Sequence, residues 1–226
     1  MELSKRMQKV ADYVLLGSVV ADIGTDHAYL PIALVQMGKI KRAIAIDVKQ
    51  GPYENACNQV AKFGVDKFVQ VRLGDGLKPL ELGEADTAVL AGMGGALMIE
   101  ILSASQEVVA NLKHIVMQPQ NGFGRIRKYL IEHHWKIVEE CLLEDEDIYT
   151  VLHWEQGSMQ ELSWLELELG PMIIAQKGAL FQPYVNKKIE DLSKVQLELK
   201  KAKNSIVEEK MLVVTSQIAE LREVLK

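Results

Sequence analysis

The sequence predicts an α/β fold: a parallel sheet with helices on both faces, a terminal β-hairpin, and a C-terminal helical coiled-coil hairpin. Three observations predict it. Short apolar runs alternate with helix-patterned segments over residues 19–134, and alternating β and α at this spacing makes a parallel sheet covered on both sides. KIVEECLLEDEDIYTVLHWE, residues 136–155, reads as two strands around an acidic turn. From Val185 onward the apolar residues step in heptads.

Each element has its own signal. Leu3, Met7, Val10, Ala11 and Val14 recur at helical spacing, so residues 3–15 are an amphipathic helix with Lys5, Arg6 and Lys9 on its other side. Residues 19–23 are a buried strand, and residues 27–37 a helix that tolerates Pro31 in its first turn. AIAID (43–47) is a second strand ending in an acid, and Gly51-Pro52 opens a helix over 52–63. FVQVRLGDGL (68–77) breaks at Gly74-Asp75-Gly76. ADTAVLAGMGG (85–95) ends in glycines and leads to a helix over 96–104; HIVMQP (114–119) stops at Pro119 and leads to a helix over 123–134.

After Gly157 the pattern changes. Val185, Ile189, Leu192, Leu199 and Ile206 form one seam, with Gln196 at a core position. Val207, Met211, Val214, Ile218, Leu221 and Leu225 form a second. Ser205 with Glu208 makes a capping box between them. Two helices of ~20 residues, each ~30 Å long, then make an antiparallel coiled coil that serves either as a structural or dimerisation element or as a substrate-binding arm. The expected division is 1–157 for a cofactor-binding domain and 158–226 for the helical domain. Monomer and homodimer both remain open.

The chain of 226 residues carries a net charge of −5, which argues against a nucleic-acid partner on the average surface. Basic clusters at Lys5/Arg6/Lys9, Lys39/Lys41/Arg42, Arg125/Arg127/Lys128 and Lys187–Lys203 are where a polyanion would have to bind, and each alone also reads as a solvated face. No run approaches ~18 apolar residues, the N-terminus lacks a signal-peptide core, and Cys57 and Cys141 match no metal spacing. The expectation is a reduced, cytoplasmic protein with two buried thiols and no metal.

The chemistry gathers at the strand ends. In an open parallel sheet, ligands bind at the carboxyl edge. Strand one ends at Asp22-Ile23-Gly24, strand two at Asp47-Val48, strand three at Gly74-Asp75-Gly76, and strand four at Gly92-Met93-Gly94-Gly95. Four edges with glycine or carboxylate in register point to a nucleoside-containing cofactor. Gly24 permits close backbone approach. Asp47 lies 23 residues after Gly24, the separation of an acid that bonds ribose hydroxyls, or else it caps the strand. Asp75 is a candidate acceptor for an adenine amino group, and Gly92–Gly95 an open floor.

A dinucleotide does not suit this turn. GTDHAY has glycine only at its first position, and Asp22 and Asp26 stand where a pyrophosphate would need bare amides. Carboxylates suit a cation, and S-adenosylmethionine carries a sulfonium and an ammonium with no phosphate. The order of motifs resembles class I methyltransferases, with their Rossmann-like sheet.

LSKRMQKVADYV, VADIGTDHAYLPI, AIAIDVKQGPYENA, LGDGL, LAGMGG and MQPQNG together resemble the bacterial tRNA adenine-N1 methyltransferases of the TrmK family, over essentially the whole chain. The resemblance implies methylation of adenine 22 on the D-arm side of tRNA, a class I domain and a C-terminal coiled coil. It implies that Gly24, Asp26, His27, Asp47, Asp75, Gly76 and Gly92 line the S-adenosylmethionine pocket. One departure is MQPQNG, where Gln120 follows Pro119 and Asn121 comes one place later.

Adenine N1 carries a free lone pair, so alignment with the methyl carbon is the main task, and orientation can supply ~7–11 kcal/mol. Asp26 is the candidate for offsetting the charge gained by the ring, or else it contacts the cofactor's ammonium. Tyr29 is a candidate clamp for a flipped adenine, or else packs on the next loop. His27 reads as a base or as a residue packed over the cofactor. Lys5, Arg6, Lys9, Asn121, Lys200, Lys201 and Lys203 are the candidate tRNA contacts. The competing readings are a methyltransferase of a small molecule or protein whose coiled coil only dimerises it, a non-catalytic S-adenosylmethionine-binding adaptor, and, last, a nicotinamide dehydrogenase.

Overall fold

A computed structural model describes residues 1–201 and 205–226, the side chains of 205 and 206 excepted. The expected capping box at Ser205, and Lys203, therefore lie outside the described residues. The chain divides into two compact units, Met1–Glu161 and Leu162–Lys226.

The first unit opens with α1 (Lys5–Tyr13), capped by the Ser4 hydroxyl accepting from the Met7 amide. Then follow β1 (Ser18–Ile23), α2 (Tyr29–Gln36), β2 (Ile40–Asp47), α3 (Gln50–Lys62), β3 (Val69–Leu73), β4 (Thr87–Met93), α4 (Gly95–Ser103), α5 (Gln106–Asn111), β5 (His114–Pro119) and α6 (Phe123–Glu132). The hairpin of β6 (Trp135–Asp145) and β7 (Asp147–Gln156) closes the unit. The sheet order is β3-β2-β1-β4-β5-β7-β6. The first five strands are parallel and β7 runs antiparallel between β5 and β6. The α/β sheet with its terminal hairpin is thus as the sequence predicts.

The core is why these segments are strands. Val20, Ala21, Ala45, Ile46, Ala88, Val89, Leu90, Ile115, Val116 and Met117 are wholly or nearly wholly buried, as strands covered on both faces must be. Pairing of His114 with Glu155 and Met117 with Leu152 fixes the direction of β7. It descends from the carboxyl edge, so Gln156 leaves the sheet at the opposite edge. The acidic turn Asp145-Glu146-Asp147 therefore lies at the same edge as Pro119.

Arg127, expected in a basic cluster, is wholly buried on α6. Its Nη2 and Nε donate to Glu140 Oε2 on β6 at 2.8 and 3.2 Å. It sits one position after buried Ile126 and three before buried Leu130, so it belongs to the apolar face of the helix. Cys57 and Cys141 are free thiols but only half-buried, which corrects the expectation of two buried ones.

The second unit holds α7 (Trp164–Leu169), α8 (Pro171–Gln176), α9 (Phe181–Leu199) and α10 (Ser205–Glu223). In α10, Val214, Ile218 and Leu221 are buried, as the heptad seam requires. Gln196, the polar core position of α9, donates through Nε2 to Thr215 Oγ1 at 2.9 Å and ties the two helices in one register.

Candidate active site

The carboxyl edge is drawn together by backbone bonds. The amides of Gly24 and Thr25 both donate to the Ile46 carbonyl, at 2.8 and 3.1 Å, and the Gly74 amide donates to the Asp47 carbonyl at 2.9 Å. The Asp47 carboxylate accepts from the Asp26 amide through Oδ2 (3.2 Å) and from the Lys49 amide through Oδ1 (2.9 Å). A carboxylate offers about four acceptor sites, so Asp47 is pinned by two donors and keeps capacity for a pair of hydroxyls. Val48, beside it, is 60% exposed and forms an apolar lip.

The turn after β1 holds backbone strain. Gly24 has φ +70°, and Asp26 (+53°) and Ala28 (+55°) hold the left-handed region without being glycine. A Cβ on Gly24 would come 2.3 Å from Met93 Cε, so Met93 lies directly over the turn. Asp22 is buried and accepts from Thr25 Oγ1 at 2.5 Å. Burial, with Asp47 nearby, pushes its carboxyl up to about 6, against the lowering effect of the Thr25 bond.

The His27 ring stacks on Tyr29 with centroids 5.0 Å apart and planes 12° off parallel. Its Nε2 lies 3.6 Å from Asp26 Oδ2, while Nδ1 is buried with no hydrogen-bond partner among the described residues. The carboxylates of Asp22 and Asp26 on a turn with a left-handed glycine fit a cationic nucleoside better than a diphosphate, and the buried His27 Nδ1 has capacity for a ligand hydrogen bond. Asp26 and Tyr29 are both open to solvent.

The remaining glycines have packing reasons. A Cβ on Gly74 would meet Pro79 Cγ at 2.2 Å; on Gly76 (φ +56°), Ile101 Cγ2 at 2.9 Å; on Gly95, the Asn121 carbonyl at 2.6 Å. The floor expected over Gly92–Gly95 is thus partly the seat of the α6 entry. Asp75 lies at the β3 end, exposed and 2.6 Å from Lys78 Nζ. Asn121 Oδ1 accepts from the Gly95 amide at 3.2 Å, satisfying one open donor of the α4 first turn.

Of the basic candidates, Lys5 is exposed and Lys9 half-buried beside Asp12. Arg6 departs from the solvent-facing cluster. It lies on the ridge of Leu3 and Val10, at the border of the buried face, and its guanidinium turns inward to Gln118 (2.5 Å) and over the Tyr149 ring (5.4 Å). Lys200 and Lys201 are exposed at the end of α9, where Lys201 pairs with Glu198. Sequence reasoning missed Gln118, whose carboxamide is wholly buried inside an apolar strand; a lone amide in HIVMQP was the available signal. Among the described residues no cluster of three or more metal-ligating side chains occurs, and no helix is long and apolar enough to cross a membrane.

Comparison with known proteins completes the assignment. Residues 20–223 match the family model described as TrmK, tRNA (adenine(22)-N(1))-methyltransferase. A Bacillus subtilis protein named tRNA (adenine(22)-N(1))-methyltransferase is 38% identical over 188 residues, 80% of this chain and 79% of its own. The crystal structure of the B. subtilis m1A22 tRNA methyltransferase TrmK superposes with a TM-score of 0.92 at 33% identity, covering 100% and 99% of the two chains. That of Streptococcus pneumoniae Sp1610, a putative tRNA (m1A22) methyltransferase in complex with S-adenosyl-L-methionine, superposes at 0.85 and 34%, covering all of both. With the motifs at one edge of a sheet of this order, the chain belongs to the TrmK family of tRNA (adenine(22)-N(1))-methyltransferases.

Proposed function

We propose that residues 1–157 hold S-adenosylmethionine at the carboxyl edge of the sheet and that residues 158–226 are an arm for the tRNA. As a member of its family the protein methylates N1 of adenine 22 in tRNA. The observation that carries the cofactor reading is the Asp47 carboxylate, pinned by two amides yet with acceptors to spare for ribose hydroxyls. The left-handed turns at Gly24 and Gly92 border the methionine portion, with Met93 packed against Gly24. Asp22 and the orphaned His27 Nδ1 flank its cationic groups, and Val48, Gly74, Asp75 and Gly76 border the adenine.

Bound there, S-adenosylmethionine supplies an electrophilic methyl carbon on a sulfonium. Asp26 offsets the positive charge that the target ring gains at N1, and the stacked Tyr29–His27 pair offers a face to the flipped base. Asn121 keeps its Nδ2 for the base beside Gly94. The partner is tRNA in the cytoplasm, gripped through phosphates by Lys5 and Lys9 and by Lys200, Lys201 and Lys203 on the arm.

The test is methyl transfer to unmodified tRNA, with the product nucleosides identified. Wild type yields 1-methyladenosine, and Asp26→Asn lowers kcat about 100-fold while S-adenosylmethionine still binds. Asparagine tolerates the left-handed backbone at this position, so the turn survives the exchange. Loss of cofactor binding as well would make Asp26 a cofactor ligand. Absence of any methylated nucleoside would sink the tRNA reading in favour of another acceptor.

Charge reversal at Lys200 and Lys201 should weaken tRNA binding about 10-fold, flatten its salt dependence and spare the cofactor. An unchanged tRNA affinity would remove the arm from the interface.

The pH dependence follows from Asp22. Its carboxyl is raised in the folded protein, so its contribution to stability is full below the unfolded value near 3.8 and is lost as pH rises through about 6. A cationic ligand favours the ionised form. Cofactor affinity should therefore climb by up to ~10-fold per pH unit below that pKa and level off above it, with proton release on binding. Calorimetry in two buffers of different ionisation heat checks this, and Asp22→Asn should flatten the profile.

A further inference from the structure

One buried polar group at this edge, with three hydrogen bonds, has no part in the reading so far. Gln118, wholly buried at the end of β5, accepts two bonds at one oxygen. Oε1 takes the Arg6 Nη1 donor at 2.5 Å and the Gly92 amide at 3.1 Å, while Nε2 donates to the Pro119 carbonyl at 3.2 Å. Gly92 is where the β4–β5 register slips, between Ala91 and Met93, and its φ is +74°. This is a β-bulge, the device by which a strand re-aims the next side chain. The next side chain is Met93, whose Cε lies over Gly24.

Arg6 and the bulge meet at one atom of the carboxamide. A guanidinium and an amide N–H only donate, so the Gln118 oxygen faces both, and its Nε2 is left to the Pro119 carbonyl; Arg6 is the side-chain donor that anchors the oxygen there. Arg6 is itself held from two sides: its own amide donates to Asp145 Oδ2 at 2.9 Å, and its guanidinium lies 5.4 Å from the Tyr149 ring centroid. Its Nη1 is 3.6 Å from where a Cβ of Gly92 would stand.

We infer that Arg6 is a positioning residue for methyl transfer: acting through Gln118, it sets the Gly92 bulge that seats Met93 over the Gly24 turn. The inference rests on the reading of that turn as the cofactor site. It gives the N-terminal helix a task in catalysis separate from gripping phosphate.

The experiment measures kcat and tRNA KM for Arg6→Ala, Gln118→Ala, the double variant and Arg6→Lys. It also follows the Met93 methyl resonance in methyl-labelled protein, assigned with Met93→Leu. Misplacement of a reacting group by about 1 Å costs about 100-fold. Each alanine variant should lose between about 10- and 100-fold in kcat, with tRNA KM within about threefold. The double variant should be no worse than the more damaged single one, as for residues acting in one chain. Arg6→Lys, which still donates, should recover part of the loss. The Met93 resonance should move the same way in both alanine variants.

A raised tRNA KM with unchanged kcat and a shallower salt dependence in Arg6→Ala would make Arg6 a phosphate contact and overturn the inference. So would additive losses, or an unmoved Met93 resonance. If the wild type methylates no tRNA, the functional reading fails by itself, and the resonance still decides whether Arg6 and Gln118 control Met93.

Discussion

Replacing Asp47 with alanine is expected to weaken S-adenosylmethionine binding by about 100-fold or more. A hydrogen bond to a charged group contributes ~1.5–3 kcal/mol, and each 1.4 kcal/mol is tenfold in affinity. Two ribose hydroxyls on one carboxylate therefore account for at least that factor. The substitution also frees the Asp26 and Lys49 amides, which Asp47 now holds at 3.2 and 2.9 Å, so the turn loosens as the ligand contacts vanish. Titration calorimetry reads the affinity, and circular dichroism confirms that the sheet persists. Asp47→Asn, which retains one acceptor, should fall between wild type and alanine. Binding within threefold of wild type for Asp47→Ala would place the ribose elsewhere.

The second large effect concerns stability. Arg127→Ala should cost ~3–5 kcal/mol, because it leaves Glu140 charged and wholly buried. The pair joins α6 to β6 through two donors on one oxygen. Replacing both partners together, Arg127→Met with Glu140→Leu, should cost far less than either truncation, since two apolar groups leave no charge stranded. Urea unfolding curves measure both. If Arg127→Ala unfolds within ~1 kcal/mol of wild type, water has reached Glu140 and the site is wetter than its burial indicates.

The legible parts of this fold are those with a period or a terminus. Strands β1, β2, β4 and β5 are apolar runs ended by an acid, glycine or proline, and the seam of α10 steps through Val214, Ile218 and Leu221. The short helices α5, α7 and α8 were not read. At six residues each they show less than two full turns of pattern. For α7 a signal did exist: Ser163 and Glu166 form a capping box in the structure. The candidate site could be picked out by its glycines and acids because the carboxyl edge lines up successive strand ends.

What escaped were polar residues whose partners are distant in sequence. Arg127 and Glu140 are 13 positions apart, and Arg6 and Gln118 are 112 apart. A charge on an apolar helix face looks like a surface residue until its partner is known. Gly74, Gly76 and Gly95 have a packing reason that the sequence does not show. They pack against Pro79, Ile101 and the Asn121 carbonyl, and glycine at a strand end looks the same whether it makes room for a ligand or for a neighbouring element.

The descent of β7 has an evolutionary consequence. Because the last strand runs back from the edge that carries Asp47 and Gly24, the chain leaves the sheet at Gln156 on the opposite edge. A junction placed there lies outside the strand ends proposed to hold the methyl donor, so exchange of the sequence beyond it leaves those strand ends themselves unchanged.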